Sequence, residues 1–305
     1  MPIIYDPPVL IVPLGDAVSP LITEDFQVDF DGLLLGTDTP YQGVNFDGFL
    51  DLSGIRSNDT QRTRQHGGYT EPNYGSGVIR TLGFNISPTS TVPFYEAVNA
   101  LRANTPVQEV VRPLWFQIPG VGQLTANAQV RNRSIPVAQE YAFALVKQAA
   151  LQFYFPNPLW YGKTLSARSG LPTSLGGQVY PIAYPLSYSS VDTGRRISAI
   201  NVGNADTTPV FTATGPIDSD GFRISCLEDG VSLQYNGPLD VGDSLTIDPR
   251  TGAVILNGTT DRRGLLSLST WPVIPATSTR TFAFSALGVY NASASLTATW
   301  APAFW

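Results

Sequence analysis

Short runs in which apolar and polar residues alternate recur along this chain, and turn residues separate them. Residues 26–30 alternate, Asp31-Gly32 follows, and the apolar run 33–35 resumes, which predicts a hairpin. The apolar run 8–13 predicts a short strand. Residues 79–86 predict another, with Ile79, Leu82, Phe84 and Ile86 set among Arg80, Thr81 and Asn85. Residues 59–73 are rich in Arg, Gln, Thr and Gly, and predict an exposed loop or long hairpin. The clearest helical period follows. Phe94, Val98 and Leu101 share one face with Ala97 beside them, Pro93 suits the first turn, and Thr91 is a candidate cap. Asn104 and Pro106 end this helix near 93–103, expected to pack on a sheet. Strands return from residue 110, with a Pro119-Gly120 turn and a hairpin arm over 123–133. Residues 142–155 begin rich in Ala and end in strict alternation, which favours a strand. Pro156 and Pro158 then forbid regular pairing.

Beyond residue 195 the pattern is uniform. Strand-like runs fall at 197–202, 210–214, 222–227, 231–235, 244–247, 253–256, 281–286 and 294–300. Turn pairs such as Gly203-Asn204, Gly215-Pro216, Asp220-Gly221 and Asn257-Gly258 come every eight to twelve residues. That spacing predicts an antiparallel sandwich or jelly roll. Residues 163–194 are poor in charge and rich in Ser, Gly, Pro and Tyr, and read as an extended connection. The expected organisation is therefore a mainly β chain of two domains, 1–194 and 195–305.

Composition narrows the function classes. Gly and Pro together make up 53 of 305 residues and charged residues only 14%, against about 25% ordinarily, which argues against coiled coils and helical solenoids. The net charge of −6 argues against a DNA or RNA binder, whose affinity comes from cations meeting phosphates. Of 18 basic residues all but Lys147 and Lys163 are Arg, the side chain suited to planar pairing at interfaces. Cys226 is the single cysteine, so no intrachain disulfide forms. The first six residues lack a secretory signature, and no run of about 18 apolar residues predicts a membrane span, so a soluble protein made in the cytoplasm is expected.

Candidate chemistry is sparse. His66, the single histidine, precedes Gly67-Gly68 and reads as a polar turn residue. Asp218-Ser219-Asp220-Gly221 opens like a calcium loop, but the twelfth position is Asp229 rather than Glu, so a plain turn is favoured. Neither a phosphate loop with Lys nor a Gly-x-Ser-x-Gly elbow is present, and no cofactor or metal is expected.

The C-terminal third resembles the C-terminal domain of siphovirus distal tail proteins. The resemblance rests on Asn201-Val202-Gly203-Asn204 followed by Pro209 through Gly215-Pro216, then Gly242-Asp243 through Asp248, then Val254 through Gly258. It closes on Trp271-Pro272 and on Trp300, Pro302 and Trp305. Residues 274–279 depart from the family's turn pattern at that place. The helix segment 97–102 and residues 155–162 resemble actinobacterial-phage members of the family. The resemblance implies a split-barrel N-terminal domain with one helix, a galectin-like β-sandwich after it, and a homohexameric ring in the virion. That ring would join the tail tube protein above to the tail hub below and let DNA pass without specific binding. Six acidic copies would repel phosphate, and a closed ring needs two different complementary faces per subunit. Arg62, Arg64, Gln123, Arg131 and Arg133 are the candidate interface residues. The competing class is a carbohydrate-binding receptor module for a host glycan, for which Trp271, Tyr290, Trp300 and Trp305 are the candidate aromatic platform, Trp300 reading rather as core. A cell-wall hydrolase stands behind both.

Overall fold

The computed structural model describes residues 18–107, 109–171, 196–268, 270–289 and 291–305. The strand expected at 8–13, residues 172–194 of the expected connection, and Tyr290 lie outside them. The described chain forms two compact units. One runs to Thr164 and includes Trp305, and the other spans Leu165–Phe304.

The first unit holds β1 (Val28–Phe30), β2 (Leu33–Leu35), β3 (Tyr41–Asp47), β4 (Ile55–Arg56), β5 (Thr60–Gln61), β6 (Gly68–Tyr69), β7 (Tyr74–Gly75) and β8 (Val78–Ile86). The helix α1 (Phe94–Asn104) follows, then β9 (Arg112–Ile118), β10 (Gly122–Ser134), β11 (Val146–Phe155) and β12 (Trp160–Tyr161). Seven strands pair in the order β2-β1-β9-β10-β11-β8-β3, with every neighbour antiparallel, and no ladder joins the two ends into a closed barrel among the described residues. Asp31 and Gly32 carry the β1–β2 turn with φ of 51° and 90°, the pair of positive values a two-residue hairpin turn requires. The Asp29 carboxylate accepts the Gly32 N–H at 2.9 Å and fixes that turn.

Aromatic rings fill the core of this unit. Phe30, Phe49, Phe116, Phe153, Phe155 and Trp160 are fully buried, and Trp160 stacks on Phe49 and meets Phe116 edge-on, with centroids 5.5 and 4.5 Å away. Arg80 is buried among them. It lies on the same face of β8 as Leu82, Phe84 and Ile86, donates to the carbonyls of Gly48 and Pro158 at 3.0 and 2.9 Å, and lies 4.4 Å over the Trp160 ring. Burial lowers its pKa to about 10, partly opposed by the Asp51 carboxylate. Ile79, expected to share the apolar face, points outward and is 56% exposed, because the two-residue period sends it opposite Arg80.

The helix buries Phe94, Ala97, Val98 and Leu101, as its period requires, and the Tyr41 hydroxyl donates to the Ala97 carbonyl at 2.7 Å. Thr91 does not cap it. Pro93, in extended conformation, occupies the capping position, so Thr91 stands two residues too early, and Thr89 instead accepts the Val92 N–H. The strand expected over 142–155 starts at Val146. Residues Gln139–Phe143 wind into a 3-10 turn closed by Ala144 in left-handed conformation.

The second unit is a sandwich of β13 (Leu165–Gly170), β14 (Arg196–Asn201), β15 (Val210–Thr214), β16 (Phe222–Cys226), β17 (Ser232–Tyr235), β18 (Ser244–Asp248), β19 (Ala253–Leu256), β20 (Thr260–Asp261), β21 (Leu266–Leu268), β22 (Ser278–Ala286) and β23 (Ser295–Trp300). One sheet runs β13-β23-β15-β18-β19-β20 and the other β14-β22-β16-β17-β21. Their inner faces share one core, in which Phe211, Phe222, Phe282 and Phe284 are the largest apolar side chains besides Tyr235 and Trp300. The alternation read from the sequence is the alternation observed. Leu245 and Ile247 are buried while Ser244, Thr246 and Asp248 are less so. The segment expected as a connection supplies β13, which pairs with β23 from Leu165–Trp300 to Gly170–Ser295.

Candidate functional site

The motif residues of the second unit converge on two knots of backbone. At the end of β14, Asn201 is buried. Its amide donates to the carbonyls of Ala205, Ile274 and Pro275 at 2.8, 3.2 and 3.2 Å, and its Oδ1 accepts the Gly203 N–H at 3.0 Å. One side chain thus fastens its own following turn, 203–205, to residues 274–275. Gly203 sits against the last residues of the unit, where a Cβ would lie 1.9 Å from the Ala303 carbonyl oxygen. Ala205 donates to that same oxygen, and Thr207 exchanges backbone hydrogen bonds with Ile274. Pro209 and Pro302 are buried beside this knot, Asn204 is exposed, and the Trp300 indole donates to the Ile200 carbonyl at 2.8 Å.

The second knot lies at the sandwich end. Gly215 precedes Pro216 through a cis peptide, donates to the Asp243 carbonyl, and leaves no room for a Cβ beside the Asp240 carbonyl. Gly242 turns with φ of 90°. The Asp243 carboxylate accepts from the Asn257 side chain at 2.8 Å and from the Asp240 N–H at 3.0 Å, and these two bonds hold its pKa below the usual carboxylate range. Asp248 closes its own turn by accepting the Arg250 N–H and guanidinium. Asp218 does the same: it accepts the Ser219 and Val289 N–H groups, and these hydrogen bonds lower its pKa. Among the described residues no group of three or more His, Cys, Asp or Glu side chains gathers to hold a metal.

In the first unit the five candidate interface residues separate into two kinds. The Arg133 guanidinium donates to the carbonyls of Arg102 and Thr105 and to the Thr105 hydroxyl, so it closes the C-terminal end of α1. Gln123 is half-buried and reaches the Ser19 carbonyl at 3.4 Å. Arg62, Arg64 and Arg131 are exposed. Arg62 lies 4.9 Å over the Tyr69 ring and Arg131 4.8 Å over the Tyr154 ring.

Residues 202–304 match the family model of the siphovirus-type tail component, C-terminal domain. The second unit carries a tail-component domain. Among solved structures, the crystal structure of the SPP1 Dit (gp 19.1) protein is 13% identical with a TM-score of 0.64, and the alignment covers 92% of this chain and all of that one. Its description is a paradigm of the hub adsorption apparatus in phages that infect Gram-positive hosts. Two structures of the phage p2 baseplate in its activated conformation, with Sr and with Ca, are 10% and 11% identical, each with a TM-score of 0.48 over 90% of this chain and 97% of the other. No curated protein sequence matches the chain.

Within the tail-component domain, the motif residues fasten turns and chain segments to one another. Sequence reading missed the partners that make the first knot work. Thr207, whose hydroxyl donates to the Ala301 carbonyl at 2.7 Å, and the Ile274 carbonyl both sit in stretches without a recognisable pattern. Of the aromatic candidates for a sugar platform, Trp300 is core at 6% exposure, and Trp271 is half-buried with the Arg263 guanidinium 5.1 Å from its ring centre. Cys226 is a buried thiol. Burial and the neighbouring Asp229 carboxylate push its pKa up to about 11, which suits a packing role and not a nucleophile.

Proposed function

We propose that this chain is a structural, non-catalytic protein of the distal end of a siphovirus-type phage tail. It assembles there as a ring of six copies that joins the tail tube to the tail-tip hub, and DNA passes through without specific binding. The observation that carries this reading is the tail-component domain at residues 202–304. The fold shared with the SPP1 hub protein along its full length supports it. The chain's acidity agrees with a lumen that repels phosphates, and its Arg-rich set of cations agrees with lasting polar contacts. Arg62, Arg64 and Arg131, exposed on the first unit, stand as interface residues, while the described hydrogen bonds of Arg133 and Gln123 serve the fold itself.

Light scattering on the purified chain, with negative-stain images of the same peak, tests the reading. The expected result is a mass about six times the 32.8 kDa of one chain, in annular particles. A monomer at every concentration, alone and mixed with tail tube protein, overturns it.

A further inference from the structure

The first unit carries an arm without a core. Every residue from 54 to 74 is exposed, yet the stretch is ordered into two small ladders, β4 with β7 and β5 with β6. Hydrogen bonds between its own residues include Arg62 N–H to the Gly67 carbonyl and Glu71 N–H to the Asp59 carboxylate, and at its root the Ser76 N–H donates to the Gly54 carbonyl. Two-stranded ladders that bury nothing are marginal in water. The arm and its root also present large apolar side chains to solvent: Leu50 at 58%, Leu52 at 63%, Ile55 at 55%, Tyr69 at 60% and Tyr74 at 63%. At about 3.3 Å per residue, the arm reaches on the order of 20–30 Å from its root, enough to cross onto a neighbouring molecule.

A second exposed apolar face lies elsewhere on the same unit. Tyr95 of α1 is 61% exposed, Val137 76% and Phe143 78%, and Tyr141 links them, its ring 6.1 Å from that of Tyr95. Beside them a cleft of about 260 Å³ is lined by residues that include Pro136, Glu140, Leu145 and Lys147. The two faces differ in charge. Over residues 54–74 the arm carries Arg56, Arg62 and Arg64 against Asp59 and Glu71, with Arg62 and Arg64 between the two carboxylates, whereas the second face has Glu140, against Lys147 at 3.6 Å, and the exposed Glu96 next to Tyr95 on α1. Both faces are open to solvent in one and the same chain, so a contact between them joins two copies head to tail, the geometry from which rings close.

We propose that the arm over residues 54–74 of one copy lies across the Tyr95–Phe143 face of the next, with Arg62 and Arg64 over Glu96 and Glu140 and the arm's tyrosines beside Phe143. This rests on the ring reading above, because it needs copies side by side. The full chain with photoreactive p-benzoyl-phenylalanine in place of Tyr69 tests it. Isotopically light and heavy copies are mixed and irradiated, the cross-linked peptides are mapped by mass spectrometry, and masses are read by light scattering. The expected cross-links join light to heavy chains and fall in residues 93–104 or 136–148. Phe143→Ser, at an exposed position and with an unchanged circular dichroism spectrum, is expected to raise the concentration for half-assembly at least about tenfold. If assemblies form but the cross-links fall elsewhere, or Phe143→Ser assembles like the parent, the arm contact is wrong and the ring stands. A chain that stays monomeric at every concentration overturns both.

Discussion

The two units of this chain reach a packed core by different means. The tail-component domain is built by repetition: short alternating strands, with turns pinned by Asn201, Gly203, Gly215 and Asp243, each fitted closely to backbone. The first unit is built around a mass of aromatic rings with one guanidinium inside it. The first device needs particular residues at particular spacings. The second needs ring volume, which many sequences supply. The family likeness is to a C-terminal domain and covers residues 202–304, whereas the likeness in fold to the SPP1 protein covers 92% of the chain.

The sharpest way to break the comparison is to remove the buried cation. Arg80→Ala strips the Gly48 and Pro158 carbonyls of their donor and leaves a void against Trp160, and should cost about 4 kcal/mol. Denaturant unfolding followed by hydrogen exchange should place that loss in the first unit. Gly203→Ala forces a Cβ into the Ala303 carbonyl and should destabilise the domain by about 3 kcal/mol, read the same way with exchange rising around residues 201–207 and 301–303. Asn201→Ala leaves the same fold with three carbonyls unfastened, a smaller loss of about 2 kcal/mol in the midpoint of the same transition.

Alkaline titration separates the units next. Burial raises Tyr41 to about 12 and Cys226 to about 11, from ordinary values of 10.0 and 9.0. A folded state that holds a proton more tightly than the unfolded chain loses stability as pH rises between the two values. The domain should therefore weaken from about pH 9 through 11, whereas in the first unit the loss from Tyr41 between about pH 10 and 12 is opposed by Arg80, whose pKa burial lowers to about 10, so its stability should change little over that range. Cys226→Ala should flatten the domain's slope in melting curves recorded against pH. The smallest effect belongs to the surface: Lys147→Ala removes an exposed pair with Glu140 and should shift stability by no more than about 0.5 kcal/mol.

Much of the fold was legible in the sequence because period and turn chemistry agreed. Asp31-Gly32 announced the β1–β2 hairpin, and the strands from β14 to β23 followed their alternation, apart from the short β20 and β21. Where reading failed, a different force decided. Strand β13 lies in a stretch of low hydrophobicity, and only its six-residue pairing with β23 makes it a strand. Thr91 had the right chemistry for a cap but the wrong place, because Pro93 already held that position. Arg80 was legible in principle. It stands two residues before Leu82 on an alternating strand, so its parity placed it inside, while its charge suggested the opposite. The interface candidates were chosen by residue type. Type alone does not tell Arg133, spent on the end of a helix, from Arg62 and Arg64, which face water.

The buried sulfur of Cys226 has a practical consequence. With its proton held to about pH 11 and its side chain inside the sandwich, the native thiol is silent to maleimide dyes at neutral pH. A cysteine introduced at any exposed position, Tyr69 or Phe143 among them, becomes the sole reactive handle on the chain. Energy transfer between chains labelled with donor and acceptor dyes then reports whether copies come together, without first rebuilding the core.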